Sequence, residues 1–305
     1  MENYISRGLF FDPDYSDGFR VIARRHGRGG VDVTLGEIKF PGSGSETPWM
    51  LEQWHSRHCI WRERYESDNP FVIENSAKRV EVRPEENLIS MRLDGAAEYA
   101  GRGHTDKRTF WPHLLLEQCM VNDFSEYPQD LRKFYSADCD RMVLNTDIRI
   151  TDFKRSEVRR GILACQFMAY FYLTLKGSRQ FIYFGADFFD SRGLMGLYWK
   201  MDVMGDAMIY LLPTEESFNS PEDVFCRESE KLIDPQRWRH VSLDLTPHID
   251  RIVERANREN IFGRQVSRGD FYIRGTNIGF ETHGNYDCTI EVKNYNIISY
   301  VKSEK

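Results

Sequence analysis

Apolar and polar residues alternate one for one along most of the chain, the period of a strand with one buried and one wet face. Residues 143–150, VLNTDIRI, oppose Leu144, Thr146, Ile148 and Ile150 to Val143, Asn145, Asp147 and Arg149. From Cys165 to Leu175, Phe167, Ala169, Phe171, Leu173 and Leu175 share one side, and Gln166, Met168, Tyr170, Tyr172 and Thr174 share the other. Similar runs occupy 19–23, 31–40, 78–82, 87–93, 181–185, 207–212, 240–245, 270–274 and 288–292, with turn-formers at PGSGS 41–45, KGS 176–178 and HGN 283–285.

Helical spacing is clear in one place. Ile249, Ile252, Val253 and Ala256 follow Thr246 and Pro247, an N-cap with proline at the first helical position, so the pattern predicts a surface helix near 247–261. A weaker helical stretch runs from Pro128 to Tyr135. Many strands without strand–helix alternation predict an all-β fold, a large antiparallel β-sandwich of jelly-roll type. No linker divides residues 1–305, so one sandwich domain is expected, with residues 1–100 either adding strands to it or forming an attached lobe.

WPHLLLEQ, residues 111–118, sharpens the pattern. As a strand it sends Leu114, Leu116 and Gln118 to one face and His113, Leu115 and Glu117 to the other, which leaves a glutamate and a histidine together outside an apolar core. On that outer face Glu117 either acts as a general acid or base with His113 beside it, or pairs with an arginine such as Arg149 and holds register.

Composition removes several classes of function. The 305 residues carry a net charge of −6, so no overall field gathers phosphate backbones, and the short basic stretches at 24–30 and 101–108 read as solvated loops. No nucleic-acid partner is expected. Neither a secretory leader nor an apolar run long enough to cross a bilayer is visible, so the expectation is a cytoplasmic protein with no membrane partner. The six cysteines form no CxxC pair, which fits reduced thiols. Dinucleotide, P-loop, serine-hydrolase elbow, HExxH and EF-hand signatures are all absent.

Aromatic and acidic residues at strand ends remain. Trp49, Trp54 and Trp61 lie beside Glu52, His55 and Arg57, and indole faces suit the C–H faces of sugar rings, unless these tryptophans plug the core. In YFGADFFDSRG, residues 183–193, an apolar strand ends in Asp187, Asp190 and Arg192 around a glycine-bounded turn; Asp190 and Arg192 either form a structural ion pair or bind a sugar hydroxyl or a substrate carboxylate, and Asp187 with Asp190 would allow a calcium ion. Asn277 and Glu281 interleave with Ile278 and Phe280 in the C-terminal run.

GTNIGFETHGNYDCTIEVKNYNIISY, with FGADFFDSRG and WPHLLLEQ before it, resembles the β-sandwich proteins of the concanavalin A-like and galactose-binding-like kind found among carbohydrate-active proteins. The resemblance is one of pattern over about the last 200 residues of the chain. It implies a sugar-facing surface and an oligosaccharide or polysaccharide ligand. Retaining glucanases of the concanavalin A-like kind place two glutamates around an aspartate on one strand, and no such ExDxE run occurs here. A glycoside hydrolase or lyase would therefore draw its carboxylates from separate strands, with Glu117, Asp190 and Glu281 as candidates. Trp49, Trp54, His55, Trp111, His113, Arg192 and Asn277 are the candidate ligand contacts, and no cofactor beyond calcium is expected. A non-catalytic glycan-binding module and an oligomeric protein with an aromatic interface are the alternatives.

Overall fold

A computed structural model of the chain describes residues 3–24, 32–44, 46–61, 70–99, 111–155, 163–202, 207–225, 234 and 236–303. The two basic stretches therefore lie almost wholly outside the described residues, as does Cys226. The alternating runs assemble two sheets. One contains β1 (Tyr4–Gly8), β5 (Phe71–Glu74), β6 (Lys78–Arg83), β7 (Leu88–Asp94), β9 (Arg141–Arg155), β14 (Arg239–Asp244) and β16 (Tyr286–Lys302), in the order β14-β9-β16-β7-β6-β5 with β1 also on β16. The other contains β2 (Phe19–Arg24), β3 (Asp32–Ile38), β4 (Trp49–Glu52), β8 (His113–Cys119), β10 (Ala164–Leu175), β11 (Phe181–Asp190), β12 (Tyr198–Met201), β13 (Met208–Leu211) and β15 (Phe271–His283). Its order is β12-β13-β11-β10-β15-β8-β4-β2-β3.

Alternation dictates the packing. Leu114, Leu116, Phe167, Phe171, Ile278 and Phe280 of the nine-stranded sheet share one buried cluster with Ile89, Met91, Ile148, Ile150, Ile290 and Val292 of the seven-stranded sheet. Fully burying each such side chain contributes roughly 1.5–3 kcal/mol, which makes a one-residue slip of any inner strand prohibitive. From β7 onward the chain passes repeatedly from one sheet to the other, the winding of a jelly roll. Strands from the first hundred residues take places in both sheets.

The sandwich is not wholly antiparallel as expected. β2 runs parallel to β4 and β11 runs parallel to β13. In each case a third strand lies at the sheet edge, β3 antiparallel to β2 and β12 antiparallel to β13, so the returning segment comes in alongside the earlier strand in the same direction. The turn between β15 and β16 uses Gly284 at φ +120°, where a Cβ would stand 2.6 Å from Leu163.

The surface helix is α3 (Thr246–Arg258), preceded by α1 (Gly95–Glu98) and α2 (Gln129–Tyr135). Ile249, Ile252, Val253 and Ala256 are buried, as the spacing predicts. Thr246 does not cap it: its hydroxyl accepts the Met142 N–H, and Asp244 Oδ1 accepts the Thr246 N–H at 3.0 Å. On the inner side of β6, Lys78 is fully buried and ion-paired with Glu98 of α1, while its ammonium also donates to the His58 carbonyl at 2.9 Å. Glu98 accepts the Arg57 N–H as well, so this buried pair ties down the segment after β4. No described helix is long and apolar enough to cross a membrane.

Candidate active site

The outward face of the nine-stranded sheet carries the candidate chemistry. β4 is only four residues long, but its alternation buries Trp49 and Leu51 and turns Met50 and Glu52 outward. In register, Met50 lies opposite Glu117 and Glu52 opposite Leu115, so Glu52 and Glu117 are diagonal neighbours across the β4–β8 pair. On the other side of β8, Asn277 lies directly opposite Glu117. A cavity of about 180 Å³ opens here, lined by Asp32, Glu52, Trp54, Glu117, Tyr172, Phe181, Tyr183 and Arg274. Tyr172 reaches it from beside an irregularity in the β10–β15 register.

The two glutamates differ in their support. Tyr172 donates its hydroxyl proton to Glu117 Oε2 and accepts from Asn277 Nδ2 at 2.9 Å. Burial raises the Glu117 carboxyl above the ordinary range, and the hydrogen bonds with Tyr172 and with Glu52 pull it partly back. Glu52 is 4% exposed, and its Oε2 has no hydrogen-bond partner among the described residues. Burial, then the neighbouring Glu117 charge, hold Glu52 well above the usual carboxylate range. A proton on Glu52 beside a carboxylate on Glu117 is the arrangement in which one group gives a proton and the other accepts charge.

Other sequence candidates fall elsewhere on this face. Glu281 is bound to His113, Nε2 to Oε1 at 3.4 Å, and His113 lowers its carboxyl against the opposing effect of burial. Asp190 is committed to Arg192, whose Nε donates to Oδ1 at 2.9 Å and Nη2 to Oδ2 at 2.5 Å, while Gln166 Nε2 donates to Oδ2 at 2.8 Å. Neither carboxylate lines the cavity with Glu117. Arg149, offered as a register partner for Glu117, instead bonds Glu291 within the seven-stranded sheet at 2.5 Å.

Among the tryptophans, Trp49 requires correction as a ligand contact. It is 0% exposed, packs against Phe10 and Tyr15, and donates its Nε1–H to the Asp12 carbonyl. Its partner residue in the sequence motif, Trp54, lines the cavity with its ring 5.7 Å from His113. His55 sits at φ +57° with its ring 5.6 Å from His113. Trp111 stands apart, 5.6 Å from His283 and 6.0 Å below the Arg192 guanidinium. Asp187 is in β11 itself and not in a turn; it accepts from Thr214, and burial pushes its carboxyl up to about 7. No group of three or more His, Cys, Asp or Glu gathers to hold a metal among the described residues.

Sequence reasoning did not single out Glu52 as a second carboxyl, nor Tyr172, Tyr183, Phe181, Arg274 and Asp32 as cavity walls. The alternation Trp49-Met50-Leu51-Glu52 was the available signal for the first. No protein-family model and no curated protein matches the sequence. Solved structures similar to this chain include a family 12 xyloglucanase from Bacillus licheniformis, 8% identical over 78% of this chain and 96% of that one, with a TM-score of 0.41. The xyloglucanase domain of a type three effector from Sinorhizobium fredii, in complex with cellobiose, is 10% identical over 85% of this chain and 95% of that one, with a TM-score of 0.39. A thermostable cellulase derived from a Rhodothermus marinus enzyme is 10% identical over 74% and 89%, also at 0.39.

Proposed function

We propose that this protein is a carbohydrate-active β-sandwich that hydrolyses glycosidic bonds in an oligosaccharide or polysaccharide, with Glu52 and Glu117 as its working carboxyls. The observation that carries the reading is the pair itself: two glutamates on adjacent strands, hydrogen-bonded to each other and facing one aromatic-lined cavity, with no salt bridge to either among the described residues. A cavity of about 180 Å³ admits one six-membered ring, since roughly 150 Å³ holds a benzene. Trp54, Phe181 and Tyr183 supply flat faces for it, and Arg274 and Asp32 supply groups for hydroxyls.

Glu52 serves as the acid that protonates the glycosidic oxygen, and Glu117, oriented by Tyr172, serves as the carboxylate that takes up the developing positive charge. This exchanges the role first considered for Glu117, because Tyr172 donates to Glu117 and nothing donates to Glu52 Oε2 among the described residues. The five described cysteines are free thiols, which supports the intracellular setting.

The test is incubation of the purified protein with neutral and uronic-acid oligosaccharides, following reducing ends, unsaturated products and bound ligand together. New reducing ends that vanish in Glu117→Gln and Glu52→Gln are expected. Binding without turnover would replace the hydrolase with a glycan-binding module; silence on every sugar would remove the carbohydrate reading altogether.

A further inference from the structure

Asn277 is 4% exposed, yet its Oδ1 has no hydrogen-bond partner among the described residues. A buried acceptor left unsatisfied costs roughly 1–3 kcal/mol and calls for an explanation. The amide has a simple way to avoid the cost: turned over, it would present Oδ1 to the Tyr172 hydroxyl and accept its proton. It does not, because the single phenolic proton of Tyr172 is directed to Glu117 Oε2, leaving only the oxygen lone pairs for Asn277, and these require the amide NH2. Burial and the Glu117 charge hold the Tyr172 phenol well above its usual range, so it remains a donor.

We propose that Asn277 is a positioning residue that aims the Tyr172 proton at Glu117 and so keeps Glu117 the ionised member of the carboxyl pair, an inference that rests on the hydrolytic reading only for its effect on turnover. Three strands cooperate in it. Asn277 on β15 lies opposite Glu117 on β8 and opposite Tyr170 on β10, two residues from Tyr172, so the amide stands beside the direct phenol–carboxylate hydrogen bond and donates to its phenol oxygen. An amide that donates to the phenol cannot compete for its proton; a carboxylate or a flipped amide at the same place would.

The experiment is a 13C NMR titration of the Glu117 side-chain carboxyl, assigned by its loss in Glu117→Gln, in wild type, Asn277→Ala, Tyr172→Phe and the double variant. A lost hydrogen bond to the charged form corresponds to about one pH unit. The Glu117 midpoint should rise by about that amount in Asn277→Ala, and at least as far in Tyr172→Phe. The double variant should match Tyr172→Phe alone, because Asn277 acts only through the phenol. Asn277→Ser, whose hydroxyl is too short to reach Tyr172, should give the same rise if the alanine variant fails to fold. An unmoved midpoint in both Asn277 variants, or a double variant that adds the two shifts, would overturn the proposal. Because the titration needs no substrate, a protein that cleaves no sugar but shows these shifts would sink the hydrolytic reading and leave the positioning role of Asn277 standing.

Discussion

Three buried carboxyls of the nine-stranded sheet stand in the opposite electrostatic state to the arginine-bound acids on the outer face of the seven-stranded sheet. On the seven-stranded sheet, Glu81 is bound by Arg79 and Arg83, Asp287 by Arg92, and Glu291 by Arg149. Burial pushes Glu81 up, but its arginine hydrogen bonds outweigh that and bring it below the usual range. On the nine-stranded sheet, Glu52, Glu117 and Asp187 are all raised, with burial the first cause in each. Glu98 completes the comparison: it is as buried as Glu52, at 1% against 4%, but it has Lys78. Burial alone therefore does not mark a working carboxyl. Burial without a salt bridge among the described residues marks Glu52, Glu117 and Asp187 alike, since holding such a group opposes folding unless its proton is retained, and the shared cavity sets the two glutamates apart.

The largest expected effect breaks the cleft side. Glu117→Gln and Glu52→Gln should each reduce turnover by about 10²–10⁴-fold, the usual worth of a positioned acid or base, with the fold intact by circular dichroism. In wild type, activity should fall at high pH as Glu52 loses its proton and at low pH as Glu117 gains one; Glu52→Gln should flatten the alkaline limb of what activity remains.

Glu98→Gln comes next, and it should act on stability. Burial already lowers the Lys78 amine to about 7, so without its carboxylate partner urea denaturation below pH 7 should show a loss of up to about 3–5 kcal/mol, and a smaller one above it as the amine gives up its proton. Replacing both partners by Met and Leu should recover most of it.

Asp187 sharpens the comparison by pH. Its folded-state value of about 7 lies above its ordinary 3.8, so the unfolded chain gives up this proton first and stability falls as pH rises between the two. Asp187→Asn should remove that slope, with a gain of up to ~4 kcal/mol at pH 8 and little change near pH 3. Glu81 should slope the other way: its contribution is present above the unfolded value and lost as pH falls through the lowered folded value. The smallest effect belongs to the outer ladder, where Arg79→Ala should cost under about 1 kcal/mol and leave activity unchanged.

Legibility in the sequence follows from the same physics. VLNTDIRI and the Cys165–Leu175 run showed their faces because long strands repeat their alternation often enough to be read; the inner residues are all buried, although Val143, Gln166, Met168 and Thr174 of the outer sets are buried too. Glu117 was visible because three leucines precede it. Glu52 was not, because β4 gives only two outward positions, and its nearness to Glu117 depends on register with a strand more than sixty residues away. For Asp190 and Glu281 the face was right, but Arg192 and His113 take them up: the first pair, two residues apart, was one of the readings the sequence offered, whereas Glu281 and His113 meet across strands and leave no local trace. Trp49 shows the converse: a strand-end tryptophan beside polar residues looks like a ligand platform until the inward parity of β4 places it in the core.

The most direct test is urea denaturation of wild type and Glu52→Gln at pH 4 and pH 8. Glu52 is raised well above its ordinary 4.5, so folding is penalised progressively as pH rises from there through the folded value, and glutamine removes the penalty. The account predicts a variant more stable than wild type at pH 8, by a margin that narrows at pH 4, together with lost turnover. A variant less stable than wild type at pH 8 would show that Glu52 supports the fold, and would contradict the assignment of the unpaired carboxyls to function.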